Sequence, residues 1–384
     1  MNVAIADSLE NVDAAQWNAM AGENNPFIQH SFLRALEQHD CLHPWGWQPQ
    51  HCLLYDDDEL IGACPAYIKA NSYGEFVFDW AWADAYERNG LPYYPKLVCA
   101  VPFTPAQGPR LLAKNEHCTA DGECFSAQQI KKGLLEALIA LTEKKQLSSA
   151  HILFPEDDDM QLLEKRGLMP RFDYQFHWQN NNYRDFDDFL AGLTSKRRKS
   201  IKRERRKVAD ENIVTRIIPG ADLSEEQWRQ VYACYQVTFL RKSGTPTLSL
   251  DFFRAVADRL LVFMAYHNDT PVAAAICFQG QDTLYGRHWG CRENFDSLHF
   301  ELCYYTGIEY CIDHRLAFFE PGAQGEHKIW RGFLPVRTRS AHWIADDGFR
   351  RAIAGFLQRE KAAMRQHGKL LAESSPYRKP APEQ

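Results

Sequence analysis

The chain has 384 residues, 45% hydrophobic and 13% aromatic, and a formal net charge of −6. That length exceeds one ordinary core and implies two domains. The composition excludes a disordered chain, and the mild acidity excludes a protein that holds nucleic acid by overall charge. The eleven cysteines are an odd number with no Cys-x-x-Cys pair. They point to reduced thiols rather than a disulfide framework or a zinc site. The first residues lack a basic region followed by an apolar run, and no stretch reaches the ~20 apolar residues of a membrane span. The expectation is a cytoplasmic protein with no transmembrane segment.

In chain order, a helix is expected from Leu9 to about Met20, and a second through Phe32, Leu33 and Leu36 behind a Ser31 cap. Cys52–Tyr55 and Leu60–Ile68 read as a hairpin around the acidic turn Asp56–Glu59. That turn lacks the spaced oxygens and the glycine of a calcium loop. Phe76–Phe78 predicts a strand running into Asp79-Trp80-Ala81-Trp82-Ala83-Asp84-Ala85-Tyr86-Glu87-Arg88. Aromatic walls with a few placed charges suit a small-molecule pocket. Asp79, Trp80, Trp82, Tyr86 and Arg88 are therefore candidate substrate-binding residues, with a domain interface of buried rings as the alternative.

Further strands are expected at Lys96–Pro102, Ser149–Phe154 and Arg171–Trp178, and helices at Ser126–Thr142 and Met160–Gly167. The polar run Gln179–Asn182 marks a boundary. It divides the chain into domains 1–182 and 183–372, with 373–384 as a flexible tail.

Phe186 to about Asp210 reads as one helix, and between Lys196 and Lys207 nine of twelve residues are Lys or Arg against one Glu. Leu190, Leu193, Ile201 and Val208 form a sparse apolar stripe, while Arg198, Lys202, Arg205 and Arg206 face elsewhere. The basic face is either simply solvated or a site for phosphate of a nucleotide, CoA, carrier lipid or tRNA. No aromatic residue interleaves the run, which argues against base reading. Ser224–Phe239 opens with a capping box, and Ser249–Leu260 is a further helix. Leu261–Tyr266, Pro271–Phe278 and Thr283–Trp289 then follow as strands. This block echoes the Cys52–Trp82 region and implies two copies of one fold.

The segment from about Leu298 to His314 is apolar nearly all round and suits a buried crossover helix. Strand, crossover and strand imply parallel neighbours. Arg287-His288-Trp289 and Glu320–Lys328 would then emerge at one sheet edge, where open α/β sheets bind ligands. Glu320 and His327 are candidates for base and proton carrier, with His288 beside them. Arg287 or Lys328 could hold a negative charge, and Gly322 and Gly325 permit positive φ and close approach to a ligand. A polar loop capping a helix from Glu326 is the alternative. No metal motif is present, and no metal is expected. Arg337–Ile344 and Asp347–His367 complete the chain as strand and helix.

The strings FFEPGAQGEHKIWRGF (Phe318–Phe333) and FDWAWADAYERNGLPYYPKL (Phe78–Leu97) resemble the FemAB-like group of acyltransferases. The resemblance covers roughly Asn25–Phe356. That group is similar to the Fem-type peptidoglycan aminoacyltransferases, which are tandem GNAT-fold proteins. The resemblance implies a mixed α/β fold with two GNAT-like (acyl-CoA N-acyltransferase) domains. It implies an N-acyltransferase acting on a small-molecule or peptide amine, with acyl-CoA or aminoacyl-tRNA as donor substrate and no tightly bound cofactor. Fem proteins also open their second half with a basic segment, which favours tRNA as a partner. The usual GNAT pyrophosphate loop should follow Thr283–Trp289, but CRENFDSLHF there has no glycine. That departure points away from ordinary acetyl-CoA binding, while the absence of the Fem coiled-coil arm points away from the tRNA donor. A non-catalytic binding protein on the same scaffold is the third reading, and oligomeric state is left open.

Overall fold

The structure is a computed structural model that describes residues 1–241, 243–323 and 325–378. It divides into two units, Met1–Asp173 with Arg337–Arg365 and Tyr174–Val336 with Gln366–Gln384. The sequence suggests one crossing near residue 182; the chain instead returns to the first unit at Arg337.

In the first unit, Asn2–Ala6, His51–Asp56, Glu59–Cys64 and Leu112–Ala113 form an antiparallel sheet in that order. The acidic turn makes the expected hairpin, but the second strand stops at Cys64. Pro65 has no N–H for a ladder, and Ala66–Lys69 pairs instead with Lys96–Cys99. Lys96–Cys99 runs parallel to Ser149–Leu153. Helix Ala127–Lys144 lies in their connection and buries Ile130, Leu134, Leu135, Leu138 and Leu141 among residues of those strands. The strand Leu334–Ile344 pairs antiparallel with Ser149–Leu153, from Ser149 opposite Ile344 to Leu153 opposite Ser340.

Phe76–Phe78, expected as a strand, joins no ladder; helix Trp80–Arg88 follows at once. Three alanines favour the helix, and Trp82 and Tyr86, four apart, share its buried face. The thiols are not all reduced. Register sets Cys118 opposite Cys124 in the hairpin Glu116–Cys118/Cys124–Ser126, and the two form a disulfide.

In the second unit, Ile213–Pro219, Leu260–His267, Thr270–Gln279 and Thr283–Cys291 form an antiparallel meander. Thr283–Cys291 then runs parallel to Phe318–Glu320, as the crossover argument requires. The crossover is helical from Leu298 to Asp313, with a π-helical stretch at Glu301–Tyr305. Leu302, Tyr305, Ile308 and Cys311 bury it against Phe319, Phe333 and Leu284. The last two residues of Met169–Gln179 close the far side of Phe318–Glu320.

The expected single helix from Phe186 is two, Phe186–Gly192 and Ser195–Asp210, broken by extended backbone at Leu193 and Thr194. The tail is not free as far as it is described. The Tyr377 hydroxyl donates to the Gly332 carbonyl at 2.8 Å, and Thr194 N–H donates to the Pro376 carbonyl at 2.9 Å. The rest of the expected flexible tail, 379–384, lies outside the described residues.

Candidate active site

The second unit carries a cleft of about 340 Å³ at the carboxyl edge of its parallel strand pair. Two features of the chain build it. In the ladder, Ile276 faces His288 while Cys277 faces Gly286, so Arg287 is the extra residue of a β-bulge. A bulge bends its strand and re-aims a side chain. Beyond Phe318–Glu320 the chain turns through Gly322 at φ +95° and Gly325 at φ +112° into the 3-10 helix Glu326–Arg331. A side chain at Gly325 would meet the His327 ring at 2.4 Å, so glycine there lets the ring into place. Gln324, within this loop, lies outside the described residues.

Arg287, His288, His327 and Lys328 all line the cleft, joined by His299, Cys303 and Tyr304 from the crossover. Glu320 lies behind Arg287, whose Nη2 donates to its Oε2 at 3.3 Å, with His177 Nδ1 3.9 Å from Oε1. The carboxylate therefore holds the guanidinium rather than facing the cleft. Lys328 is 2% exposed, and its Nζ donates to the Gly322 carbonyl at 2.6 Å. Burial disfavours the ammonium and lowers Lys328 to about 7. His327 Nε2 lies 2.9 Å from the Tyr304 hydroxyl. Burial, then the charges of Arg331 and Lys328, depress its pKa. His288 is lowered to about 3, first by burial and then by Arg287, and packs edge-on against Tyr235 and Phe253. It is a neutral ring in an aromatic setting.

The proposed phosphate-binding residues fare unequally. Arg205 is committed to Glu301 at 3.0 Å and Glu309 at 2.8 Å. Lys202 pairs with Asp187 at 2.9 Å. Arg198 and Arg206 have no carboxylate partner among the described residues. The lone acid of the run, Glu204, reaches inward to Arg331 at 3.0 Å and to the Tyr305 hydroxyl. Arg331 also donates to the His327 carbonyl at 3.0 Å. The basic helix is thus tied to the loop that carries His327 and Lys328. Tyr304, Arg331 and Glu204 were missed from sequence, although a single acid among nine bases was a visible signal.

In the first unit, the expected substrate wall turns inward. Lys96 Nζ donates to Asp79 Oδ2 at 2.5 Å, Glu75 Oε2 at 2.8 Å and Ser72 Oγ at 2.9 Å. The Tyr93 hydroxyl donates to the same Asp79 oxygen and lies 3.3 Å from His151 Nε2. His151 and His342, opposite each other across two strands, meet through Nδ1 atoms 2.7 Å apart. Trp82 meets the His342 ring edge-on, with His151 tilted beside it, and Tyr86 stacks on Phe349. Asp79, Trp82 and Tyr86 are therefore interior residues, with Asp79 Oδ2 and both rings in contact within the unit, while Asp79 Oδ1, Trp82 Nε1 and the Tyr86 hydroxyl have no hydrogen-bond partner among the described residues. Trp80, 40% exposed, and Arg88 remain at its surface.

This network predicts acid lability. Burial holds His151 near 3 and His342 well below its ordinary value. As pH falls from about 6.5, the unfolded chain binds protons that the folded histidines refuse, so stability falls. Glu75, raised to about 7 first by burial, opposes this, but one carboxyl stands against two imidazoles. The urea midpoint should be lower at pH 5 than at pH 7, and His342→Gln should reduce the difference.

One further cluster has metal-ligand spacing, Glu116 with Cys118 and Cys124, but it is exposed and its sulfurs are bonded to each other. Among the described residues no helix is long and apolar enough to cross a membrane.

A family model named FemAB-like and described as peptidoglycan biosynthesis/recognition matches residues 8–379. No curated protein matches the chain. Among solved structures, the chain is similar to the C-terminal domain (DUF2156) of a protein described as a lysylphosphatidylglycerol synthetase from Agrobacterium fabrum. The TM-score is 0.54 at 6% identity, covering 95% of this chain and 98% of that one. It is also similar to L-PGS from Bacillus licheniformis, with TM-score 0.53 at 10% identity and coverage of 96% and 99%. FemX gives 0.50 at 11% identity, with coverage of 92% and 100%. At such identities the likeness speaks for the fold alone, a mixed α/β arrangement as expected from the sequence.

Proposed function

This chain belongs to the FemAB-like family, and we propose that it is an acyltransferase whose second unit moves an aminoacyl group from an aminoacyl-tRNA onto an amine. The observation that carries the reading is Lys328. It is a buried cation at the cleft wall, flanked by Arg287 and a neutral imidazole. The acceptor amine attacks the ester carbonyl, a C–N bond forms and the C–O bond to ribose breaks. Lys328 and Arg287 stabilise the oxyanion in a site of low polarity, where such charges act strongly. His327, neutral because burial depresses its pKa, takes the amine proton and returns it to the leaving hydroxyl. Tyr304 orients its ring, and Glu320 positions Arg287. His288 shapes the cleft wall.

The donor is read from charge. A CoA pyrophosphate would dock where the crossover begins, and from Arg292 to Phe300 this chain has no glycine to bring backbone N–H groups up to it. The basic helix, in contrast, offers cations without a carboxylate partner among the described residues. Charged tRNA is made in the cytoplasm, the location this reading requires. The acceptor is a small-molecule or peptide amine related to peptidoglycan.

The test offers labelled aminoacyl-tRNA and acyl-CoA in turn, with amine acceptors that include peptidoglycan stem peptides. Transfer from aminoacyl-tRNA supports the reading, and transfer from acyl-CoA alone overturns the donor. Transfer from neither would leave a binding protein. Where transfer is seen, His327→Ala should lower kcat on the order of a hundredfold, with smaller change in KM.

A further inference from the structure

The exposed face of the basic helix lacks one part that nucleotide recognition needs, a ring. Trp330 supplies it from another part of the second unit. It is 49% exposed, and the Arg197 guanidinium carbon lies 4.7 Å from its ring centre. In a 3-10 helix, residues three apart eclipse one another. Trp330 therefore projects from the same side of that helix as His327, which lines the cleft.

The cations around it divide into two sets. Lys202, Arg205 and Lys207 are paired to carboxylates and fix the helix in place. Lys196, Lys199 and Arg203 are exposed, lie three and four residues apart on one stripe, and have no carboxylate partner within salt-bridge distance among the described residues. A stacked tryptophan–arginine pair beside a stripe of free cations matches a base followed by a phosphodiester backbone.

We propose that Trp330 and Arg197 form the stacking platform for the 3′-terminal adenosine of the aminoacyl-tRNA donor, with Lys196, Lys199 and Arg203 on the phosphates behind it. This rests on the donor reading above and assigns it a base-binding site. The geometry explains why the platform stands on the same short helix as His327 and Lys328. The terminal nucleotide carries the ester, so the base must be held within a few ångströms of the cleft. Glu204 and Arg331 keep the helix and the loop in one arrangement, so that phosphate and base are gripped in register with the carbonyl.

The experiment uses the full chain and a stem-loop RNA ending either in CCA or in CC. Binding is followed by fluorescence anisotropy, with CoA as a separate ligand. For the wild type, loss of the terminal adenosine should weaken binding about tenfold, the effect of one lost stacking contact. Trp330→Ala should weaken binding of the CCA form by a similar factor and abolish its advantage over CC. Trp330→Phe should retain part of it. Thermal unfolding of both variants should match the wild type, since the ring is half exposed. Equal binding of the two RNAs by the wild type, or an adenosine preference that survives Trp330→Ala, overturns the platform and leaves the donor reading standing. Binding of CoA but of neither RNA overturns both.

Discussion

Lys328→Met is expected to lower turnover on the order of a hundredfold, the usual cost of removing one preorganised oxyanion donor. Methionine fills nearly the same volume, so the substitution removes charge more than packing. Lys328 also has a signature that a structural residue would not give. Burial lowers it to about 7, so its charge changes within the working pH range. Because the ammonium is the form that stabilises an oxyanion, the ratio of wild-type to variant kcat/KM should fall as pH rises through about 7; the ionisation of the acceptor amine acts on both and cancels in the ratio. A ratio that instead rises through 7 would make the neutral amine the active form and Lys328 the base. Urea unfolding of the variant separates lost chemistry from lost fold.

Lys96→Met is expected to destabilise the first unit by about 3–5 kcal/mol, because it strands Asp79 and Glu75 as buried carboxyls without their counterion. Lys96 is itself fully buried, so no water replaces it. Removing the acids as well, in a Glu75→Gln, Asp79→Asn, Lys96→Met chain, should recover part of the loss, since apolar or neutral replacements of whole buried ion groups are often tolerated. The urea midpoint is the measurement. Activity per folded molecule should stay near that of the wild type in the single variant. A loss of activity at full foldedness would return this cluster to the role of an acceptor pocket.

Sequence patterns reached the sheet edge because parallel pairing follows from a buried crossover whatever its details. Arg287, His288, His327 and Lys328 met in one cleft for that reason. Glu320 could not be placed the same way. A strand's alternation says which face a side chain takes, and the bulge at Arg287 changes what stands in front of it. Trp82 and Tyr86 show a second limit. Rings and charges crowded in a short stretch look alike whether they line a pocket or satisfy one another. Only Lys96, His151 and His342, distant in sequence, reveal the second case. The basic helix was legible, but its division into bound and free cations was not, because the carboxylates that bind them come from Asp187, Asp296, Glu301 and Glu309.

The return of the chain to the first unit at Arg337 has a consequence for synthesis. Ile344, Ile353 and Leu357 complete the core around Trp82, Tyr86 and Tyr93, yet they leave the ribosome only after the whole stretch from Tyr174 to Val336. At about 5–20 residues per second, those rings wait roughly 13–50 s for Ile344, the first of their partners. The portion of the protein made first is among the last to become whole. A nascent chain stalled before Arg337 should therefore be a better substrate for chaperones and proteases than its length alone would suggest.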